Sequence, residues 1–398
     1  MQETNNKSGY YHRSAGTIRL LKYATIFLFV FFLISCIVIF RKDITIQNIQ
    51  LLAKFISFDS SSEQYSEQFT TTANNESDVF MLRNNLGVVN HNNISLYDLS
   101  GQKLFSYNFS LSTPAVVHDN HNIIVHDIEG NNLTVFNSFS KIKDFKFTGE
   151  VLASDIVENF FCVITRDETY TSLLKVYEYS YHERDYLERF TLKSSSHLTS
   201  CAISQNGRYL VVSSTDSKEG SYNSNLSVYD TTSSSTSPLH SYTLSGELPI
   251  KVGISSDNNT FFAITDSTVS FFNAKNNEPS VYKFNQSKVD SYYKANGMII
   301  ITEKNNLSGN SVLLTALDEH GGSLFEINLP DIIYDITIGK EKIFALGKSK
   351  VYEISKDKDD KYLVSATADV RAKHFAIVSD TDDNCYILDD SYVSKVTF

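Results

Sequence analysis

Seven times along this chain a β-branched or apolar run ends in a bulky residue followed by an acid or an amide. The pairs are Tyr97-Asp98, Phe136-Asn137, Tyr177-Glu178, Tyr229-Asp230, Phe272-Asn273, Leu317-Asp318 and Tyr352-Glu353, at intervals of 35 to 52 residues. A period of about 40 to 45 residues that holds only short strands is the length of one four-stranded propeller blade. The pair has a physical reading as well. A bulky side chain fills the space between neighbouring sheets, and the adjacent side-chain oxygen caps the turn into the next strand.

The second period shows the internal order: strands at residues 114–117, 122–125, 133–136 and 141–147, with a turn at 118–121. The fourth repeats it at 199–203, 208–213, 226–230 and 240–244, and the turn residues Ser204-Gln205-Asn206-Gly207 link its first two strands. No segment after Ile56 has a long helical period, so the body is all-β. An open fan of blades would leave unpaired edges. The last period, residues 370–398, supplies only three strands, and residues 64–71 (QYSEQFTT) are the expected fourth. That count gives an eight-bladed β-propeller, with seven blades as the runner-up if residues 78–85 are not a first strand.

Ahead of the body lies an unbroken run of 18 uncharged, mostly apolar residues that begins at Tyr23 and ends at Phe40. As a helix it would rise about 27 Å, close to the thickness of a bilayer's hydrocarbon. It reads as one N-terminal transmembrane helix, the chain's contact with membrane. Lys7, Arg13, Arg19 and Lys22 precede it, which favours a cytoplasmic head and an extracytoplasmic tail. The expected layout is a head at 1–22, the span at 23–40, a juxtamembrane helix or linker at 41–63 and the propeller at 64–398. Within the linker, Ile46, Ile49, Leu52, Phe55 and Ile56 have the spacing of an amphipathic helix, and an irregular stalk is the alternative. Leu33-Ile34-Ser35-Cys36 also resembles a lipobox, which would anchor the tail through Cys36 instead.

Residues 1–42 hold six Lys or Arg and one Glu. Of the chain's 35 Lys/Arg and 46 Asp/Glu, the remainder therefore keeps 29 and 45, a net charge of −16. Such a surface repels phosphate backbones, which excludes nucleic acid as a partner. With Cys36 in the span, Cys162, Cys201 and Cys385 form an odd set inside apolar runs, which is not a disulfide framework.

The stretches Leu96-Tyr97-Asp98-Leu99-Ser100-Gly101, Ser112-Thr113-Pro114-Ala115-Val116-Val117 and residues 126–136 (HDIEGNNLTVF) resemble a domain-of-unknown-function family of membrane-anchored propeller proteins from low-GC Gram-positive bacteria. The resemblance covers the span and nearly all the body. It implies topology and fold, and no activity or catalytic residues. The chain has no Trp, so the tryptophan-docking motif of quinoprotein blades and the WD dipeptide are both absent.

No cofactor or metal is expected. His118, His121 and His126 are close in sequence, but the last two flank an extended strand and stand roughly 16 Å apart at 3.3 Å per residue. Asp380, Asp382, Asp383 and Asn384 begin like a calcium loop, with Cys385 where that loop needs glycine and Ser391 where it needs glutamate. No nucleophile elbow, H-E-x-x-H, C-x-x-C or P-loop occurs, so enzyme status stays open with a binding module favoured. The second-to-third-strand connections are expected to be long loops at 165–172, 214–225 and 302–311, all on one face of the disk. On them Arg166, Tyr170, Asp216 and Tyr222 are the candidate contacts for a protein partner. The function expected is a protein-binding or scaffolding module at the cell surface. The alternatives are an enzyme whose carboxylates or histidines converge on the central pocket, and a cell-wall glycan binder with Tyr and Phe lining one face.

Overall fold

The computed structural model describes residues 21–32, 35 and 67–398, apart from 139, 219–220, 274–278, 286–288, 305–310 and 371–373. The chain divides into two units, Met1–Gln64 and Tyr65–Phe398. In the first, residues 21–32 are helical and every one is exposed. Among the described residues no helix is long and apolar enough to cross a membrane. The end of the 23–40 run, apart from residue 35, and the whole of the 44–58 segment lie outside the described residues.

The second unit is eight four-stranded antiparallel sheets. We number the blades by chain order: one at residues 78–108, two at 114–146, three at 151–194, four at 197–245, five at 249–283, six at 291–329 and seven at 333–369. Blade eight holds Ala376–Ser379, Cys385–Asp389 and Tyr392–Lys395, and its fourth strand is Gln68–Thr70. In the other seven the strands pair in chain order from the innermost outward. The first strand of blade one is Asp78–Leu82, ended by a tight turn in which Arg83 takes φ 56°. With it the count is eight.

Burial follows position in the blade. Second strands such as Asn85–Val89, Thr260–Thr265 and Ile343–Gly347 are buried at every residue, because a neighbouring blade covers each face. The outermost strand Tyr362–Asp369 instead alternates between half-buried and exposed, as the period-2 pattern of a half-covered strand requires. The core is therefore a series of apolar layers between adjacent sheets. One layer joins Phe161 and Val163 of blade three to Leu133 and Val135 of blade two.

The bulky-plus-polar pairs do what their chemistry predicts in four blades. Tyr97, Phe136 and Leu317 are buried and Tyr229 packs against a core layer. Beside them, Asp98 accepts the N–H groups of Ser100 and Gln102, Asn137 that of Ser140, Asp230 that of Thr232, and Asp318 those of His320 and Gly322. Blades three and seven differ. Their third strands run on past the pair, so Glu178 meets Arg189 at 2.8 Å and Glu353 meets Lys342 at 2.9 Å. The cap in blade seven falls to Asp357, which accepts from Asp359 and Lys361.

Ring closure rests on three residues in register: Gln68 with Ser394, Phe69 with Val393 and Thr70 with Tyr392. Phe69 is buried in a layer with Tyr386, Leu388 and Val393 of blade eight and Tyr97 and Leu99 of blade one. Gly101 sits against it at φ 89°, where a Cβ would fall 2.5 Å from the Phe69 Cβ. Only glycine fits that turn on both counts.

Candidate functional site

An innermost strand has one neighbour, so its lumen-facing edge carries N–H and C=O groups that no ladder satisfies. The chain meets several of them with side chains from the adjacent blade. Asp155 of blade three accepts the Ile203 N–H of blade four at 3.0 Å, and Ser200 of blade four accepts the Val252 N–H of blade five at 3.3 Å. Asp335 of blade seven accepts the Ile377 N–H of blade eight at 2.9 Å, and Lys294 of blade six donates to the Ile254 carbonyl of blade five at 3.1 Å. Polar residues in otherwise apolar inner strands thus lace the ring around its axis.

Four inner strands also carry a β-bulge near their start, between Val151 and Ala153, Leu198 and Ser200, Pro249 and Lys251, and Ile333 and Asp335. The extra residues, Leu152, Thr199, Ile250 and Tyr334, are all exposed. Bulges of this kind re-aim side chains where a strand borders an opening.

Near the opposite ends of these strands lies a cavity of ≈ 450 Å³, bordered by blades two to six. Its titratable lining is His118, Asp119, Asp155, Lys251, Tyr292, Lys294 and Glu319, set among apolar residues such as Val116, Ile156 and Ile264. Asp155 and Lys251 are half-buried, and Lys294 is open to water in the lumen. All three still lie deep enough for desolvation to be the largest influence on their protonation. Burial pushes the Asp155 carboxyl up, against the opposing pull of Lys251 and the Ile203 N–H. Burial is the largest single influence on the Lys251 ammonium and works to lower it, but Asp155, Tyr292, Cys201 and Cys162 together outweigh it and the group ends above its ordinary value. Lys294 ends lower: burial and the like charge of Lys251 prevail over Asp155 and Glu319. His118, stacked on Phe80 at 4.5 Å between ring centres, is also lowered by burial. Across the ring, burial pushes the Asp335 carboxyl up to about 6.

The four expected contact residues lie on blades three and four. Residues 165–172 and 214–225, expected as loops, are mostly strand: Phe160–Asp167 with Thr171–Ser180, and Tyr209–Lys218 with Ser221–Asp230. Of the third expected loop, residues 305–310 lie outside the described residues. The two hairpins project from adjacent blades on one face, because equivalent connections alternate sides in step along antiparallel sheets. Arg166 pairs with Glu150 at 2.9 Å, and Tyr170 is exposed with the Lys193 ammonium 4.9 Å from its ring centre. Asp216 accepts from the Ser196 hydroxyl at 2.8 Å, and Tyr222 is exposed on the facing strand.

The histidines go separate ways. His121 stands 3.7 Å from Glu158, while His126 is buried with its Nδ1 3.3 Å from the Asp127 carbonyl. Asp380 caps its own turn, accepting from Asp382, Asn384 and the Tyr386 hydroxyl. The residues that sequence reasoning missed are Asp155, Lys251, Tyr292 and Lys294. The signal for Asp155 and Lys251 was a charge inside a short apolar strand, VLASDIV and PIKVGI.

No curated protein matches the chain. Among solved structures, Sqt1 of Chaetomium thermophilum is similar with a TM-score of 0.56 and 10% identity, over 84% of this chain and 98% of that one. A chain of the Mitotic Checkpoint Complex gives a TM-score of 0.46 and 10% identity, over 71% of this chain and 88% of that one. At that identity the Sqt1 likeness is one of fold. The sequence itself is more specific: the model of a family of unknown function, DUF5711, matches residues 57–398, and the chain belongs to that family.

Proposed function

We propose that this propeller is anchored in the membrane, faces the extracytoplasmic side and serves as a protein-binding or scaffolding module at the cell surface. The observation that carries the reading is the hairpin pair of blades three and four. Their strands are 8 to 10 residues long, against 4 to 7 for the equivalent strands of the other blades. Extended hairpins on a rigid ring, tipped with exposed Tyr170 and Tyr222 and flanked by Arg166 and Asp216, present tyrosine and arginine, types enriched at protein interfaces. Anchoring is supported by the 18-residue apolar run, whose described helical part exposes Phe27, Leu28, Phe29, Phe31 and Phe32 by 60% or more. A helix apolar on all sides and bare of protein is suited to lipid.

The test is a photo-crosslinking residue placed in living cells at Tyr170, at Tyr222 and, on the opposite face, at the exposed Lys340. The expected result is one common adduct from both tyrosine positions and none from Lys340. No adduct, or the same adducts from all three positions, would contradict the docking face.

A further inference from the structure

The geometry points to the cavity in the channel as a binding site for a small anionic molecule, one that carries a carboxylate or phosphate group held between Lys251 and Lys294. This goes beyond the docking face and is independent of it. The cavity opens toward the turns between first and second strands, whereas the hairpins of blades three and four project from the other side.

The acidic groups around the cavity already have partners. Asp119 accepts the N–H groups of His121 and Asn122 at 2.6 Å each, and also that of Glu158. Glu319 accepts the Ser256 N–H at 2.7 Å, and Asp155 accepts that of Ile203 at 3.0 Å. Each carboxylate of the lining is therefore engaged with main chain. The cations have fewer such partners. Lys294 donates one hydrogen bond, to the Ile254 carbonyl, and among the described residues Lys251 makes no hydrogen bond and no ion pair within 4 Å.

A lysine on an inner strand can lace only to a carbonyl, because its ammonium only donates. Lys294 has found a carbonyl; Lys251 has not. The two ammonium groups share one cavity, and burial with the like charge of Lys251 disfavours the charge on Lys294 unless something neutralises it. An anion seated between them does so, and the Tyr292 hydroxyl in the same lining can add a further hydrogen bond. The volume, ≈ 450 Å³, suits a small molecule, and the apolar wall leaves room for a non-polar body behind the charged head. The surrounding unit is strongly acidic. It would turn anions away from its surface, so retention has to come from these two lysines.

The test uses the full chain in a non-ionic detergent and two probes, inorganic phosphate and succinate, in separate calorimetric titrations. At least one should bind saturably at low ionic strength, and the stronger of the two identifies the head group. Lys251→Gln and Lys294→Gln should each weaken that binding about tenfold or more, whereas Lys340→Gln should leave it unchanged. Since a glutamine variant could fail to fold, the wild-type chain with reductively ¹³C-methylated lysines gives a second readout. Two lysine resonances, absent from the spectra of the respective variants or shifted alone on titration, should move with the bound fraction. No saturable binding of either probe would overturn the site. Binding that survives both substitutions, or a titration that moves the surface lysines equally, would overturn it as well.

Discussion

The Asp155 carboxylate of blade three accepts the main-chain N–H of Ile203 in blade four at 3.0 Å, joining two inner strands that the sheet ladders leave unconnected. Removing it strands a buried N–H. Asp155→Ala should destabilise the propeller by about 1 to 3 kcal/mol, the usual cost of an unsatisfied buried donor. Asp155→Asn keeps an acceptor for Ile203 and loses only the charge, so it should cost clearly less. Urea unfolding of the two variants checks the order. Equal losses would mean that the carboxylate acts through charge alone.

Asp335 makes the corresponding link from blade seven to Ile377 of blade eight, and burial holds its carboxyl at about 6 against an ordinary 3.8. The folded state thus binds this proton more tightly than the unfolded chain does. Its contribution to stability is complete below about pH 3.8 and is lost as pH rises through about 6. Tyr293 is the titratable neighbour influenced by this carboxylate, and burial and Asp335 both keep its phenol neutral in that window. Relative to Asp335→Asn, which cannot titrate there, the wild type should lose urea resistance between about pH 4 and about pH 6.5. Parallel pH profiles for the two proteins would contradict the assignment.

Phe69 lies at the seam, buried between blades eight and one although its own strand is only three residues long. Phe69→Ala should therefore cost about 3 to 5 kcal/mol, as for a fully packed core phenylalanine. A loss under about 1 kcal/mol in urea unfolding would show that the short strand contributes little to the ring.

The three described cysteines should be chemically silent. Cys162, Cys201 and Cys385 are buried thiols. Burial raises Cys162 and Cys385 above the ordinary thiol range, and contact with Cys201 adds to the shift of Cys162. A thiol held neutral and out of water is a poor nucleophile. Iodoacetamide should label none of the three in the native chain and all three in urea, as read by peptide mass spectrometry. Stoichiometric native labelling at any of them would contradict the packing.

Much of the ring was legible because a blade has both a period and a cap. The Tyr97-Asp98 and Leu317-Asp318 pairs mark third-strand ends directly, and a last period one strand short pointed to residues 64–71, where Gln68–Thr70 is found. The hairpins of blades three and four were misread as loops for a physical reason. The second strand of blade four, Tyr209–Lys218, ends in residues 213–218 (SSTDSK), which are polar throughout and so lack the apolar-polar alternation that identifies a strand. The channel site was illegible for a different reason. Asp155, Lys251 and Lys294 are far apart in sequence, and only closure of the ring brings their strands around one lumen.

Covalent capture of the seam is the decisive test of a closed ring. The hydrogen bonds from Lys395 N–H to Glu67 and from Thr71 N–H to Ser391 make those the bonded pairs, so Gln68 and Ser394 face each other as a close, non-bonded pair. That spacing suits a disulfide. Gln68→Cys with Ser394→Cys should oxidise to one intramolecular cross-link, read as faster migration on a non-reducing gel and as a single linked peptide by mass spectrometry. A chain that stays reduced, or one in which the thiol introduced at position 68 links to a strand other than Tyr392–Lys395, would contradict an eight-bladed ring closed by its own first strand.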